Sequence, residues 1–86
     1  MTQPIPAKYV RINDSFYRFN HGAPKGQGWW GFAVEGHQND SVMIENNPFW
    51  FTAKKVDGRM PTYGEAKKQA IKWAAANGHY SLIVLC

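Results

Sequence analysis

The sequence predicts an α+β domain: a small antiparallel β-meander of four to five strands, one helix in the C-terminal half packed on one face, and a final strand. Three observations predict it. At 86 residues the chain has material for one hydrophobic core. Short aromatic and β-branched runs alternate with clusters of Gly, Pro, Asn and Asp. A single helix-start signature, Thr62 with Glu65 three residues later, precedes an alanine-rich stretch and then an apolar run to the end. The whole of 1–86 therefore reads as one domain, with 1–7 as a flexible N-terminal tail.

The first structured stretch begins near Tyr9. Tyr9, Val10 and Ile12 precede the turn residues Asn13-Asp14-Ser15, and Phe16, Tyr17 and Phe19 follow, which reads as a hairpin. Residues 20–28 hold Gly22, Pro24, Gly26 and Gly28, a density of punctuation that predicts an exposed, mobile loop. Trp29 to Glu35 has strand composition, and Ser41 to Glu45 reads as its hairpin partner after the Gly36 to Asp40 turn. Phe49 to Thr52 is a further short strand running into Lys54-Lys55, and Asp57-Gly58 closes that segment.

The helix is expected from Tyr63 to about Asn77, with Pro61 just ahead and Gly78 as its left-handed stop. Ala66, Ala70, Trp73, Ala74 and Asn77 share one face, and Lys67, Lys68 and Lys72 the other. Alanines leave little bulk on the buried stripe, so the helix can lie close to a sheet, with Trp73 filling the wider gap. Tyr80 to Leu85, almost uninterruptedly apolar, predicts a strand covered on both faces in the middle of the sheet.

Composition narrows the function classes. With 44% hydrophobic and 15% aromatic residues the chain has the means to fold, and it lacks the signature of disorder. Ten Lys and Arg against six Asp and Glu give a formal charge of +4, a bias toward anionic partners. The single cysteine, Cys86, allows no intrachain disulfide, and the N-terminal residues resemble neither a signal peptide nor an anchor, so a cytoplasmic protein is expected. On that basis the glycosylation patterns at Asn13 and Asn39 read as ordinary turns.

Catalytic and cofactor patterns are weak, and neither an enzyme nor a cofactor is expected. Gly26-Gln27-Gly28-Trp29-Trp30-Gly31 spells G-x-G-x-x-G, but a loop precedes it and an aromatic strand follows, whereas pyrophosphate binding needs a strand before and a helix after. Gly31 reads instead as a strand kink or bulge. His21, His37, His79 and Cys86 are too widely spaced for a preorganised zinc site. Asp14, Asp40 and Asp57 sit at turns, Glu65 is committed to the helix cap, and Ser15, Ser41 and Ser81 have no nucleophile setting.

The interleaving of aromatic and basic residues is more informative, because single-stranded nucleic acid is held by rings that stack on bases and cations that meet phosphates. Tyr17, Arg18, Phe19, Lys25, Trp29, Trp30 and Phe32 fall close together. Arg18-Phe19-Asn20, Lys25-Gly26-Gln27-Gly28, Phe32 and Asp40-Ser41-Val42 resemble the K-W-F-N, K-G-x-G-F and D-[DS]-V-F elements of cold-shock-type nucleic-acid-binding domains. The resemblance spans residues 18–42 and implies a stacking surface of the kind those domains build on a five-stranded barrel. Gly22-Ala23-Pro24 and Trp29-Trp30 are insertions relative to that pattern, and the 63–77 helix has no counterpart in it.

A sheet with one helix has an open face, and consecutive aromatics (Trp29 with Trp30, and Phe49, Trp50, Phe51) send rings to both sides. Trp29 and Trp50 are therefore expected on the open face, with Trp30 replacing Trp29 if the register shifts by one. The residues expected to bind nucleic acid or a protein partner are Arg18, Lys25, Trp29, Trp30, Trp50, Lys54, Lys55 and Arg59. The leading reading is a DNA- or RNA-binding module. The alternative is a protein-binding inhibitor or adaptor, of the kind phage and mobile-element genes encode against bacterial defence complexes. A homodimer is compatible with either, and no membrane association is expected.

Overall fold

In the computed structural model, which describes residues 3–36 and 49–85, the apolar C-terminal run forms β4 (Ser81–Val84) in the interior of a four-stranded sheet. Its neighbours are β1 (Arg11–Asn13) and β2 (Gly31–Val34), and β3 (Trp50–Thr52) forms the far edge beyond β2, in the order β1-β4-β2-β3. Among the described residues there are also two α-helices, α1 (Ser15–His21) and α2 (Tyr63–Ala76), and a short 3-10 turn at Ala7–Tyr9. The α+β class, the C-terminal-half helix and the interior final strand are as the sequence predicts.

Register sorts the strand side chains into two faces. On the α2 side, Ile12 lies level with Leu82 and Leu82 with Val34, while Val84 lies level with Phe32 and Phe32 with Phe51. These two cross-strand rows are the sheet's half of the core. The helix supplies Ala66, Ala70 and Ala74, all fully buried, and their small side chains let its backbone approach the rows closely. Trp73 flanks the stripe and stacks on Phe51, with ring centroids 5.2 Å apart. On the opposite face Ala33 and Ile83 are also buried, so β4 buries three consecutive side chains. Fully burying a Phe, Leu or Val contributes roughly 1.5–3 kcal/mol each, which makes Phe32, Leu82 and Val84 the centre of the packing.

Four expectations are corrected. The first concerns residues 15–21, read as the second strand of a hairpin, which are helical. Local hydrogen bonds favour the helix: Asn13 Oδ1 accepts from the Ser15 N–H at 2.9 Å, Arg18 Nε donates to Asp14 one turn back at 2.9 Å, and the Asn20 amide donates to the Phe16 carbonyl. Only Tyr17 turns inward, against the core. The second concerns the meander. With no hairpin partner following it, β1 pairs in parallel with β4, so the sheet is mixed.

Third, Gly31 is neither a bulge nor a kink, because it opens β2 in regular register with Thr52. Fourth, Asn77 is exposed, as the C-cap of α2, and its side chain donates to the Trp73 carbonyl at 2.8 Å. The expected hairpin partner at 41–45 lies outside the described residues. At the other end of the chain, the Ile5 N–H donates to the Ala75 carbonyl at 2.8 Å, which docks the segment before β1 on α2.

The start of α2 is over-determined. Thr62 Oγ1 accepts from the Glu65 N–H at 3.3 Å, and the Glu65 carboxylate accepts from the Thr62 N–H at 2.9 Å, a complete capping box. Asp57 and Gly58 both have positive φ and close a two-residue turn between the paired Val56 and Arg59. That turn brings the Arg59 guanidinium onto Glu65 through two parallel bonds of 2.7 Å. The Arg59 bonds first, and the Thr62 N–H second, hold the Glu65 carboxyl at about 2 against an ordinary 4.5.

Because this folded-state value lies below the unfolded one, the stabilisation is present above pH 4.5 and is lost as pH falls toward 2. Denaturant midpoints measured from neutral pH downward should therefore separate Glu65→Gln from the parent most above pH 4.5 and converge near pH 2. A gap that stays constant across that range would contradict the assignment.

Candidate nucleic-acid interface

The segment from Gly22 to Trp30 crosses from α1 to β2 and is held at three points. Gly22 and Gly26, at φ of 83° and 89°, take left-handed conformations that allow the chain to reverse. Gln27 pairs with Thr62 just before α2, the Gly28 N–H donates to the Pro61 carbonyl at 3.2 Å, and the Trp30 indole N–H donates to the Gly26 carbonyl at 3.2 Å. The loop expected to be mobile is thus exposed but anchored at its second half.

Anchoring resolves the choice between the two adjacent indoles. Trp30 has the same parity as Phe32 and points into the core, 4% exposed, between Tyr17 at 5.2 Å and Tyr63 at 4.9 Å. Trp29, one residue earlier, must point the other way and is 70% exposed. Trp29, Lys25, Gln27, Gly28 and Tyr17 line a surface hollow of about 180 Å³, with Trp30 beneath as part of its wall.

None of the hollow's lining residues is acidic, so Lys25 leaves it with positive character. Asp14 and Arg18 lie close enough to act on the neighbouring Tyr63 phenol in opposite senses. Burial, and then the Asp14 charge, raise its pKa. On α1, whose Tyr17 lines this hollow, Phe19 is 91% and Phe16 50% exposed.

Of the residues predicted to bind, Lys25 and Trp29 come together, and Arg18 follows Tyr17 on the adjacent helix, paired to Asp14. Trp30 is a core ring and offers no free stacking face. Trp50 shares the opposite sheet face with Ala33, half-buried, and its indole N–H donates to Thr52 Oγ1 at 2.8 Å. Lys54 borders a separate groove between β3 and α2, Lys55 is exposed beyond it, and Arg59 is engaged by Glu65.

Of the two rings expected on the open sheet face, Trp50 lies on the face away from α2, half-buried, whereas Trp29 belongs to the loop that precedes β2. The Asp40-Ser41-Val42 part of the cold-shock resemblance lies outside the described residues, and among the described residues the stacking surface it implies is not built. Arg18-Phe19-Asn20 is helical, and the described strands form an open sheet rather than a barrel. Gln27 was not among the expected residues. Its only signal is its position between two loop glycines.

Arranged this way, the hollow can stack a planar ring on Trp29 and place an anion near Lys25. Among the described residues no three His, Cys, Asp or Glu side chains converge as a metal site, and no helix is long and apolar enough to cross a membrane. No protein-family model, curated protein or solved structure matches this chain.

Proposed function

We propose that the chain is a cytoplasmic, non-enzymatic module that binds single-stranded nucleic acid through Trp29 and Lys25, with Arg18 on the adjacent helix extending the contact. The observation that carries this reading is an indole left 70% exposed beside a lysine, on a loop fixed by hydrogen bonds to the start of α2. A ring carried on an anchored backbone costs less loop ordering on binding a base, and the net charge of +4 favours a polyanion.

Fluorescence anisotropy of labelled single-stranded DNA, single-stranded RNA and duplex DNA tests it. Affinity tighter than about 100 µM at low salt, falling as salt rises and favouring single strands, is the expected result. Absence of binding to all three at that level would overturn the reading.

A second reading, a protein-binding inhibitor or adaptor, draws on one further observation, the exposed Phe16 and Phe19 three residues apart on α1. It predicts no oligonucleotide binding, together with a stoichiometric protein partner that is retained by the parent and lost in Phe19→Asp.

A further inference from the structure

The sheet face turned away from α2 carries an ordered row of charge at one end. Arg11 lies level with Ser81, and Glu35, one residue past β2, continues the register on the other side of β4, its N–H donating to the Ser81 carbonyl at 3.0 Å. Each of the three is the chain neighbour of a residue in the Ile12, Leu82 and Val34 row that faces α2, so all three side chains point the opposite way. Neighbouring strands lie about 4.8 Å apart, which sets the backbones of the cation and the anion about 10 Å apart with the small Ser81 between them.

Neither charge is used inside the chain. Arg11 and Glu35 are exposed, and neither has an ion pair or a side-chain hydrogen bond among the described residues. With Tyr9 and Tyr80 they line a hollow of about 400 Å³ at Ser81. The two tyrosines are 54% and 60% exposed, at the opposite end of β2 from Trp29.

The order of the row selects its partner. Across the strands it runs positive, neutral, negative, with Ser81 at the centre. Half a turn about an axis lying along β4 above Ser81 turns the row over and reverses it, so that Arg11 faces the partner's Glu35 and Glu35 the partner's Arg11. Tyr80, next to Ser81, is carried to the same axis, where its exposed ring meets that of the second copy. A foreign protein would have to bring an acid and a base in reversed order at the same spacing, whereas a second copy does so by symmetry.

From this geometry we infer that the row is a homodimer interface, closed by two reciprocal Arg11–Glu35 ion pairs around Ser81 and Tyr80. Two copies of charge +4 repel at long range, but at about 0.15 M salt that repulsion is screened beyond roughly 8 Å, and the local order of charges decides. With five lining residues against the roughly 20–30 a side of a stable complex, the contact is weak and concentration-dependent. It leaves Trp29 and Lys25 of both copies open, so it stands apart from the proposed strand-binding loop.

Sedimentation equilibrium of the full chain without nucleic acid, at up to about 1 mM protein in about 0.15 M salt, tests the inference. The weight-average mass should rise with concentration from the 9.8 kDa of one chain toward that of two. Arg11→Glu makes both ends of the row negative and Glu35→Arg makes both positive, so each variant alone should self-associate at least about 10-fold more weakly. An equimolar mixture of the two variants should regain the parental association, because one row then supplies both acids and the other both bases. An Arg11–Glu35 pair within one chain would not be restored by mixing. Trp29→Ala should associate like the parent.

A parent that stays at 9.8 kDa throughout, self-association indifferent to both substitutions, or single variants that remain monomeric when mixed would overturn the inference. Self-association of a protein that binds no oligonucleotide would remove only the loop reading.

Discussion

Replacing Phe32 by alanine is expected to leave little folded protein at physiological temperature. Phe32 is fully buried on the central strand pair, level with Val84 on one side and Phe51 on the other, under the alanine stripe of α2. Removing a buried Phe side chain costs about 3–5 kcal/mol, because the cavity closes only in part. An 86-residue domain without a disulfide sits at the low end of the usual 5–15 kcal/mol of total stability.

With a urea dependence of about 1 kcal/mol per molar for a chain this small, the unfolding midpoint followed by circular dichroism should fall by about 3 M or vanish. Phe51→Ala, at a half-buried edge position, should cost less. The comparison also tests the register. A slip of one residue would put Ala33 in the core and Phe32 outside, so a Phe32→Ala midpoint within about 0.5 M of the parent would show that the strand is misassigned.

What was legible in the sequence follows from how local each signal is. The α2 boundaries are readable because a capping box and a left-handed glycine act within a few residues, and Gly78 does adopt a φ of 76°. The interior position of β4 is readable because three consecutive apolar side chains need cover on both faces.

By contrast, Phe16, Tyr17 and Phe19 carry strand-like composition, and the bonds that make them helical come from Asn13, Asp14 and Asn20, which read equally well as turn residues. Composition does not reveal side-chain bonds that close only once the segment has turned into a helix. The parallel pairing of β1 with β4 joins segments some 70 positions apart, and no local pattern announces it.

The same distinction divides the sites. Lys25 and Trp29 were legible because both lie in one loop, and parity from Phe32 decides between the two indoles once the strand is placed. The Arg11, Ser81 and Glu35 row draws one residue from each of three segments, and it exists only once β1 and β2 have paired with β4. The apolar run after Ser81 marks a strand, but it could not have shown what lies level with its first residue.

Trp29→Ala should reduce affinity for single-stranded oligonucleotides by roughly 5- to 150-fold, the equivalent of about 1–3 kcal/mol for one stacked base. Because the Trp29 ring is 70% exposed and packs in no core cluster, the loss should come without a change in thermal midpoint, and this separates it from Trp30→Ala, which would destabilise the fold.

Lys25→Ala should act differently. Its loss lowers affinity for all strands alike and makes the dependence of log affinity on log salt shallower by about one phosphate contact. The two substitutions thus have separable signatures, one nearly independent of salt and the other largest at low salt, and their combination should bring binding to the level of nonspecific charge attraction. If Trp29→Ala bound like the parent while Trp50→Ala did not, recognition would belong to the sheet face and not to the loop. If neither mattered and Phe19→Asp did, the exposed side of α1 would be the contact surface, because Phe19 lies on the opposite side of that helix from the inward-packed Tyr17.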